Sequence, residues 1–361
     1  MSSPISDLID QAWSELLLTT ISGSKFAASD ETTIGHWLNA KSILADAKAL
    51  ADQPIQQQKS GGAVISGRIG GTHTYPQPPV TGITNYGIST GAKITAKPTD
   101  WAWELDEIKN LGGGLVRFDY GGSGQDWLVQ EILNRGMKPM LLIGGTLHGV
   151  PTPSAHAQAV TAAMTKWKGK VPVVEVGGNE PNLNGQTPQQ HAALVKASYT
   201  AAKAVDPKVI VLNGGIAPAA ATLSYALQLV PLLKGSIDHF NMHLYEDAYV
   251  VASWNNWSRC FDPSVLGGQP SIRQALDSNG MSNIPICSTE SGANVPKVTE
   301  AVQAKTVFNA FDRAAKLRAT GDMSFVLIFS MRNTDYAPGW GLCRDDHSRR
   351  PSWTAAKNAF V

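Results

Sequence analysis

Residues 171–182 read Val-Pro-Val-Val-Glu-Val-Gly-Gly-Asn-Glu-Pro-Asn. A short β-branched run stops at a glycine pair, where a chain can turn sharply, and the turn delivers an Asn-Glu-Pro triplet. Residues 188–205 then carry apolar side chains at helical spacing, and a second β-branched run, KVIVLNG at 208–214, follows. Apolar runs joined by helix-length crossovers are the signature of parallel strands buried on both faces. The same unit recurs on either side. Strand-like runs occur at 86–90, 115–120, 138–144, 171–176, 208–214, 237–245, 284–290 and 325–331, with helix candidates at 101–110, 126–135, 154–167, 188–205, 222–233, 271–278, 298–319 and 353–360. Eight β-α units over about 275 residues predict an α/β fold, a (β/α)₈ TIM barrel spanning 86–361, better than an open doubly wound sheet. Neither GxGxxG after a strand nor GxxxxGK[ST] occurs, which weakens a nucleotide-binding reading.

Outside the barrel, residues 1–59 read as a helical N-terminal arm, with Leu8, Ala12, Trp13, Leu16 and Leu17 at helical spacing. Residues 60–85, rich in Gly, Thr, Ser and Pro, read as a linker or collar. The full chain has 361 residues, 43% hydrophobic and 16% charged, with a formal net charge of +1. This balance excludes a disordered chain and offers nothing to steer the protein to nucleic acid or anionic lipid. Cys260, Cys287 and Cys343 are widely spaced and suggest neither a disulfide framework nor a thiolate zinc site. The first residues lack a basic leader region and no segment has the roughly 20 apolar residues of a membrane span, so synthesis in the cytoplasm without membrane insertion is expected.

In such a barrel chemistry sits at the C-terminal ends of the strands. Glu180 leaves the fourth run and Glu290 the seventh, so two carboxylates emerge from opposite sides of the ring. Acetal cleavage needs a proton donor for the leaving oxygen and a carboxylate for the oxocarbenium-like centre, and two facing carboxyl groups supply both. The plainer alternative is that each glutamate caps a helix or pairs with an arginine.

Asn179-Glu180-Pro181, together with Thr289-Glu290-Ser291-Gly292, resembles the retaining glycoside hydrolases of clan A, and most of all their β-xylosidase-like and exopolysaccharide-hydrolase-like families. The resemblance implies Glu180 as general acid/base, Glu290 as nucleophile, and Asn179 at the sugar 2-hydroxyl. Asp238, His243 and Tyr245 look like the clan's strand-six pattern, Arg117 and Asp119 are similar to its strand two, and Trp340-Gly341-Leu342 with Arg349-Arg350-Pro351-Ser352-Trp353 resembles a closing segment. The implied activity is retaining hydrolysis of β-glycosidic bonds in a poly- or oligosaccharide, as in an exopolysaccharide or capsule depolymerase of phage or bacterium, with no metal or organic cofactor. The clan usually carries a tryptophan at the end of strand eight, where this chain has Phe329-Ser330, leaving Trp340 as the candidate sugar platform.

Period two along the sixth run puts His239, Asn241, His243 and Tyr245 on one face and Phe240, Met242 and Leu244 on the other. The polar row reads as site lining, with His239 a core histidine and Tyr245 a hydrogen-bond donor to Glu290. Arg117 keeps Glu290 ionised in this reading, a structural ion pair being the alternative. Burial and the charge of Glu290 are expected to raise the Glu180 pKa. Trp254 and Trp257 are expected to contact sugar from the loop after strand six, against the alternative of packing. Two other functions compete: a non-catalytic saccharide-binding barrel and, less well supported, a metal-dependent hydrolase. The arm is read as a docking or self-association element, for a larger assembly such as a phage tail.

Overall fold

The computed structural model describes residues 86–90, 98–144, 150–245, 255–295, 297–333 and 338–359. The predicted arm, the collar and Trp254 lie outside the described residues. Eight parallel strands make one sheet: β1 Tyr86–Ser89, β2 Leu115–Asp119, β3 Lys138–Ile143, β4 Val173–Val176, β5 Ile210–Asn213, β6 Phe240–Asn241, β7 Ile286–Ser288 and β8 Met323–Phe329. Their order is β5-β4-β3-β2-β1-β8-β7-β6, and a parallel bridge from Leu212 to His239 joins the two ends. The expected barrel is the observed fold. At the β5–β6 seam, where the ladder is shortest, Asp238 donates its N–H to Val211 O (2.9 Å) and accepts the Val211 N–H on Oδ2 (2.8 Å).

The described helices are α1 Pro98–Leu111, α2 Asp126–Asn134, α3 Pro153–Lys166, α4 Pro188–Val205, α5 Thr222–Leu232, α6 Asn256–Phe261, α7 Ile272–Ser278, α8 Glu300–Ala319 and α9 Pro351–Ala359. Local chemistry sets their starts. Thr187 and Gln190 form a reciprocal capping box with Pro188 in the first turn, so α4 begins soon after the Asn-Glu-Pro triplet. None of the described helices is long and apolar enough to cross a membrane.

Strand alternation builds two cores. Val116, Phe118, Val174, Val176, Phe240, Met242 and Leu244 face outward into the apolar layer under the helices. Leu115, Met140, Val173, Ile210, Leu212, Cys287, Phe325 and Leu327 form a separate plug inside the barrel. Two residues beyond Leu115 and Val173 on the same faces come Arg117 and Glu175. The next interior layer is therefore ionic, and it lies toward the C-terminal ends of the strands.

Candidate active site

Glu180 is positioned by an unusual backbone. Gly177 (φ 91°), Gly178 (φ 89°) and Glu180 itself (φ 48°) all occupy left-handed space, which glycine enters without a Cβ penalty and glutamate does not. Surrounding hydrogen bonds fix the turn. The Glu180 N–H donates to Gly215 O (3.0 Å), and Asn184 Nδ2 donates to the carbonyls of Asn179 (2.8 Å) and Glu180 (3.1 Å). Asn182 exchanges two bonds with Ala217, each 3.0 Å, tying this loop to the one after β5.

Arg117 is the hub of the ionic layer. It is 3% exposed, and its guanidinium donates to Glu175 (Nε–Oε2 2.6 Å, Nη2–Oε1 3.0 Å), to Glu290 (Nη1–Oε1 2.8 Å), to Asn179 (Nη2–Oδ1 2.6 Å) and to Ser89 Oγ (2.9 Å). Planar guanidinium geometry allows all five contacts at once, which an ammonium could not. Burial opposes its charge, but Glu175 and Glu290 outweigh burial and hold its pKa above the ordinary value. Glu175, fully buried, also accepts the Gly215 N–H at 2.8 Å.

Tyr245 donates from Oη to Glu290 Oε2 at 2.8 Å. His243, fully buried, has Nδ1 3.1 Å from Glu180 Oε1 and 3.6 Å from Glu290 Oε2, so one imidazole edge faces both carboxyl groups. Its other nitrogen packs on Gly215, where a Cβ would come within 2.1 Å of Nε2. The ligand atoms of Glu180, His243 and Glu290 lie within 4.8 Å of one another. Those donors already serve one another and Arg117 and Tyr245, an arrangement that holds protons.

The expected rise in the Glu180 pKa is corrected by this geometry. Burial does push its carboxyl upward, but the hydrogen bond and charge of His243, with Arg117 behind, pull it below the ordinary value. Burial lowers His243 in turn, while Glu290 and Glu180 more than compensate and raise it. Each group thus favours the charged form of the other, against the burial of both.

Asp119 ends β2 on the same face as Arg117. Burial raises its pKa to about 6 in spite of Arg117, with Glu290 and Glu175 adding to the rise. In the unfolded chain this carboxyl ionises near 3.9. Between that value and about 6 the folded protein keeps a proton the unfolded chain has lost, so the stability contributed by this group is full below the unfolded value and lost as pH rises through 6. Asp119→Asn should therefore raise Tm at pH 7.5, with the gain shrinking toward pH 4.5. Calorimetry at several pH values checks this, and a gain independent of pH would contradict it.

Trp340 is half-buried beside the site, edge-on to Tyr245 (ring centroids 5.0 Å) and to Phe329 (5.8 Å). Asn179 is also half-buried, with Oδ1 taken by Arg117. Trp257 does not line the cleft. It is the second residue of α6, is 4% exposed, and packs with Phe261 in the outer core, so its expected sugar contact is corrected to packing. His239 lies near the plug, its Nδ1 3.0 Å from Ser324 Oγ.

Three site residues are not among those the sequence singles out: Glu175, Gly214 and Gly215. Glu175 was hidden in an apolar run, although a carboxylate on the inward face two residues after Val173 was the available signal. The Gly214-Gly215 step carries no side chain at all, yet it receives the Glu180 N–H and the His243 ring.

Comparison with solved structures fits this geometry into a known architecture. A family 39 glycoside hydrolase from Bacteroides cellulosilyticus WH2 matches with TM-score 0.60 and 18% identity, over 77% of this chain and 63% of that one. The family 39 enzyme from Xanthomonas axonopodis pv. citri matches with TM-score 0.56 and 17% identity, over 76% and 65%. The chain shares their fold. A monomeric β-xylosidase from Caulobacter crescentus CB15 follows, with TM-score 0.54, 18% identity and coverage of 76% and 68%. This chain thus spans less than two thirds of the first two proteins, by the 63% and 65% above. Neither a protein-family model nor a curated protein sequence matches it.

Proposed function

We propose that the protein is a retaining glycoside hydrolase acting on β-glycosidic bonds of a poly- or oligosaccharide. The carrying observation is the Glu180–His243–Glu290 constellation, whose facing oxygens lie within 4.8 Å, near the separation of about 5–5.5 Å that retention requires and short of the roughly 6.5–9.5 Å of inversion. Barrels of the same fold in β-xylosidase and family 39 structures support the reading.

The chemistry follows from the contacts. Arg117 and Tyr245 each donate to one oxygen of Glu290, fixing the orientation of the carboxylate and leaving lone pairs for attack on the anomeric carbon. Glu180 stands across the cleft and, with the proton shared with His243, protonates the departing oxygen as the C–O bond breaks. A covalent glycosyl-Glu290 ester results. Once Glu290 is esterified its negative charge is gone, and Glu180 as carboxylate takes a proton from water while that water attacks the same carbon and releases Glu290. Asn179, oriented by Arg117, keeps its amide donor for a sugar hydroxyl.

The test is a leaving-group series on the variant Glu180→Gln. Hydrolysis of glycosides with poor leaving groups should fall by about 10²–10⁴-fold, the usual worth of general acid catalysis, while kcat/KM for dinitrophenyl glycosides stays near wild type. Equal losses on both substrates would remove Glu180 from the acid role. Saturable glycan binding without turnover by the wild-type protein would instead favour a binding barrel.

A further inference from the structure

The β4 ladder ends at Val176, so the backbone of Gly177 leaves the sheet in a left-handed conformation, three residues before Glu180. A buried N–H that has left its ladder needs another acceptor. It finds one in a side chain: the Gly177 N–H donates to Nε2 of His156, on α3, at 2.8 Å. The Gly177 carbonyl is held as well, by Gln186 Nε2 at 3.1 Å. His156 is 2% exposed and fits only because residue 144 is glycine, where a Cβ would stand 2.4 Å from its Cε1. On the same side His191, fully buried, closes over Gly177, whose own Cβ would come within 2.6 Å of the His191 ring. Gly214 approaches so tightly that a Cβ there would stand 1.9 Å from Gly178 O and 3.2 Å from the His191 ring.

The stem of the Glu180 loop is thus gripped at both polar atoms of one peptide residue and walled in by rings and backbone. Burial lowers the His156 pKa to about 4, which keeps its ring neutral and able to accept at neutral pH. An aliphatic side chain would suit the apolar surroundings under the helices better than an imidazole. Among the described residues its one hydrogen-bond partner is the Gly177 N–H.

We propose that His156 is a positioning residue for Glu180, setting the height and direction of the acid/base carboxyl through the Gly177 N–H. The proposal rests on the hydrolase reading above. Misplacing a catalytic group by about 1 Å costs on the order of 10²-fold, and the loss should fall on the step that uses the group. In His156→Leu, kcat/KM should drop by about 100-fold for an alkyl β-glycoside and by less than about 3-fold for the dinitrophenyl glycoside of the same sugar. His156→Gln places an amide oxygen where Nε2 stood and should restore most of the loss. A second measurement does not depend on activity: ¹⁵N NMR of histidine-labelled wild-type protein at pH 7 should show His156 as the Nδ1–H tautomer.

Losses in His156→Leu that are equal for both leaving groups, or absent, overturn the proposal, as does an Nε2–H tautomer. Should His156→Leu fail to fold, the leaving-group profile of His156→Gln and the tautomer decide the matter in its place. Wild-type protein that turns over no glycoside removes the hydrolase reading and this role with it. Wild-type turnover with His156→Leu unchanged removes only the role.

Discussion

Glu290→Gln should abolish glycoside turnover, with kcat/KM falling by at least about 10⁴-fold, the scale seen when a nucleophile is removed from a site whose other parts remain. Glutamine keeps the size of the side chain; its one oxygen can accept from Arg117 in place of Oε1 while its NH2, in place of Oε2, donates to the Tyr245 hydroxyl, which turns to accept, so the fold should be unaffected. What disappears is the charge. Unlike Glu180→Gln, this variant should not recover on dinitrophenyl glycosides, because forming the ester bond is required whatever the leaving group. Progress curves on both substrate types, beside a thermal melt, check the prediction; residual activity within tenfold of wild type would place the nucleophile elsewhere.

The second large effect belongs to Arg117→Met. Removing this cation leaves Glu175, fully buried, with no positive partner beside it, and Glu290, 8% exposed, with only the His243 edge at 3.6 Å. Stripping one partner from a buried ionic cluster costs about 3–5 kcal/mol. For a domain of this size that corresponds to a fall in Tm of about 10 °C. Activity should fall with it, since Glu290 loses one of the two donors that orient it and Asn179 loses its orienting contact. Glu175→Gln combined with Arg117→Met should recover part of the stability, and none of the activity. A melt in which the single variant matches wild type would show that water solvates the cluster.

Much of the fold was legible because a barrel strand buried on both faces has to be apolar, and β2, β3, β4, β5 and β8 are short enough for the chain to show both ends. The sixth run was read as nine residues, yet only Phe240–Asn241 pairs regularly. Hydrophobic alternation reports which way side chains face, and Phe240, Met242 and Leu244 do face the outer core; it does not report how many backbone groups find a neighbouring strand. Helix α6 was missed because six residues hold too few turns to display a period. Its start was visible in principle: Asn255 Oδ1 accepts from the N–H groups of Trp257 and Ser258, and that cap turns Trp257 inward.

At the site, the two glutamates could be read because each follows a strand. The direction of the Glu180 pKa shift could not. Whether burial or a neighbour's charge decides the Glu180 pKa depends on His243, 63 residues away, approaching Oε1 to 3.1 Å. Glycines at 177, 214 and 215 had no side chain to advertise what they admit, which is the close passage of two histidine rings and a backbone carbonyl.

From β2, Arg117 bonds groups on β1, on β4 and just beyond the end of β7, so the parts that act on substrate are also a brace between four strands of the barrel. Enzymes whose catalytic groups ride on loosely held loops lose activity at temperatures where the scaffold still stands. Here heat inactivation and loss of the barrel's far-ultraviolet circular dichroism should share one midpoint, because the site has no separate fabric to fail first.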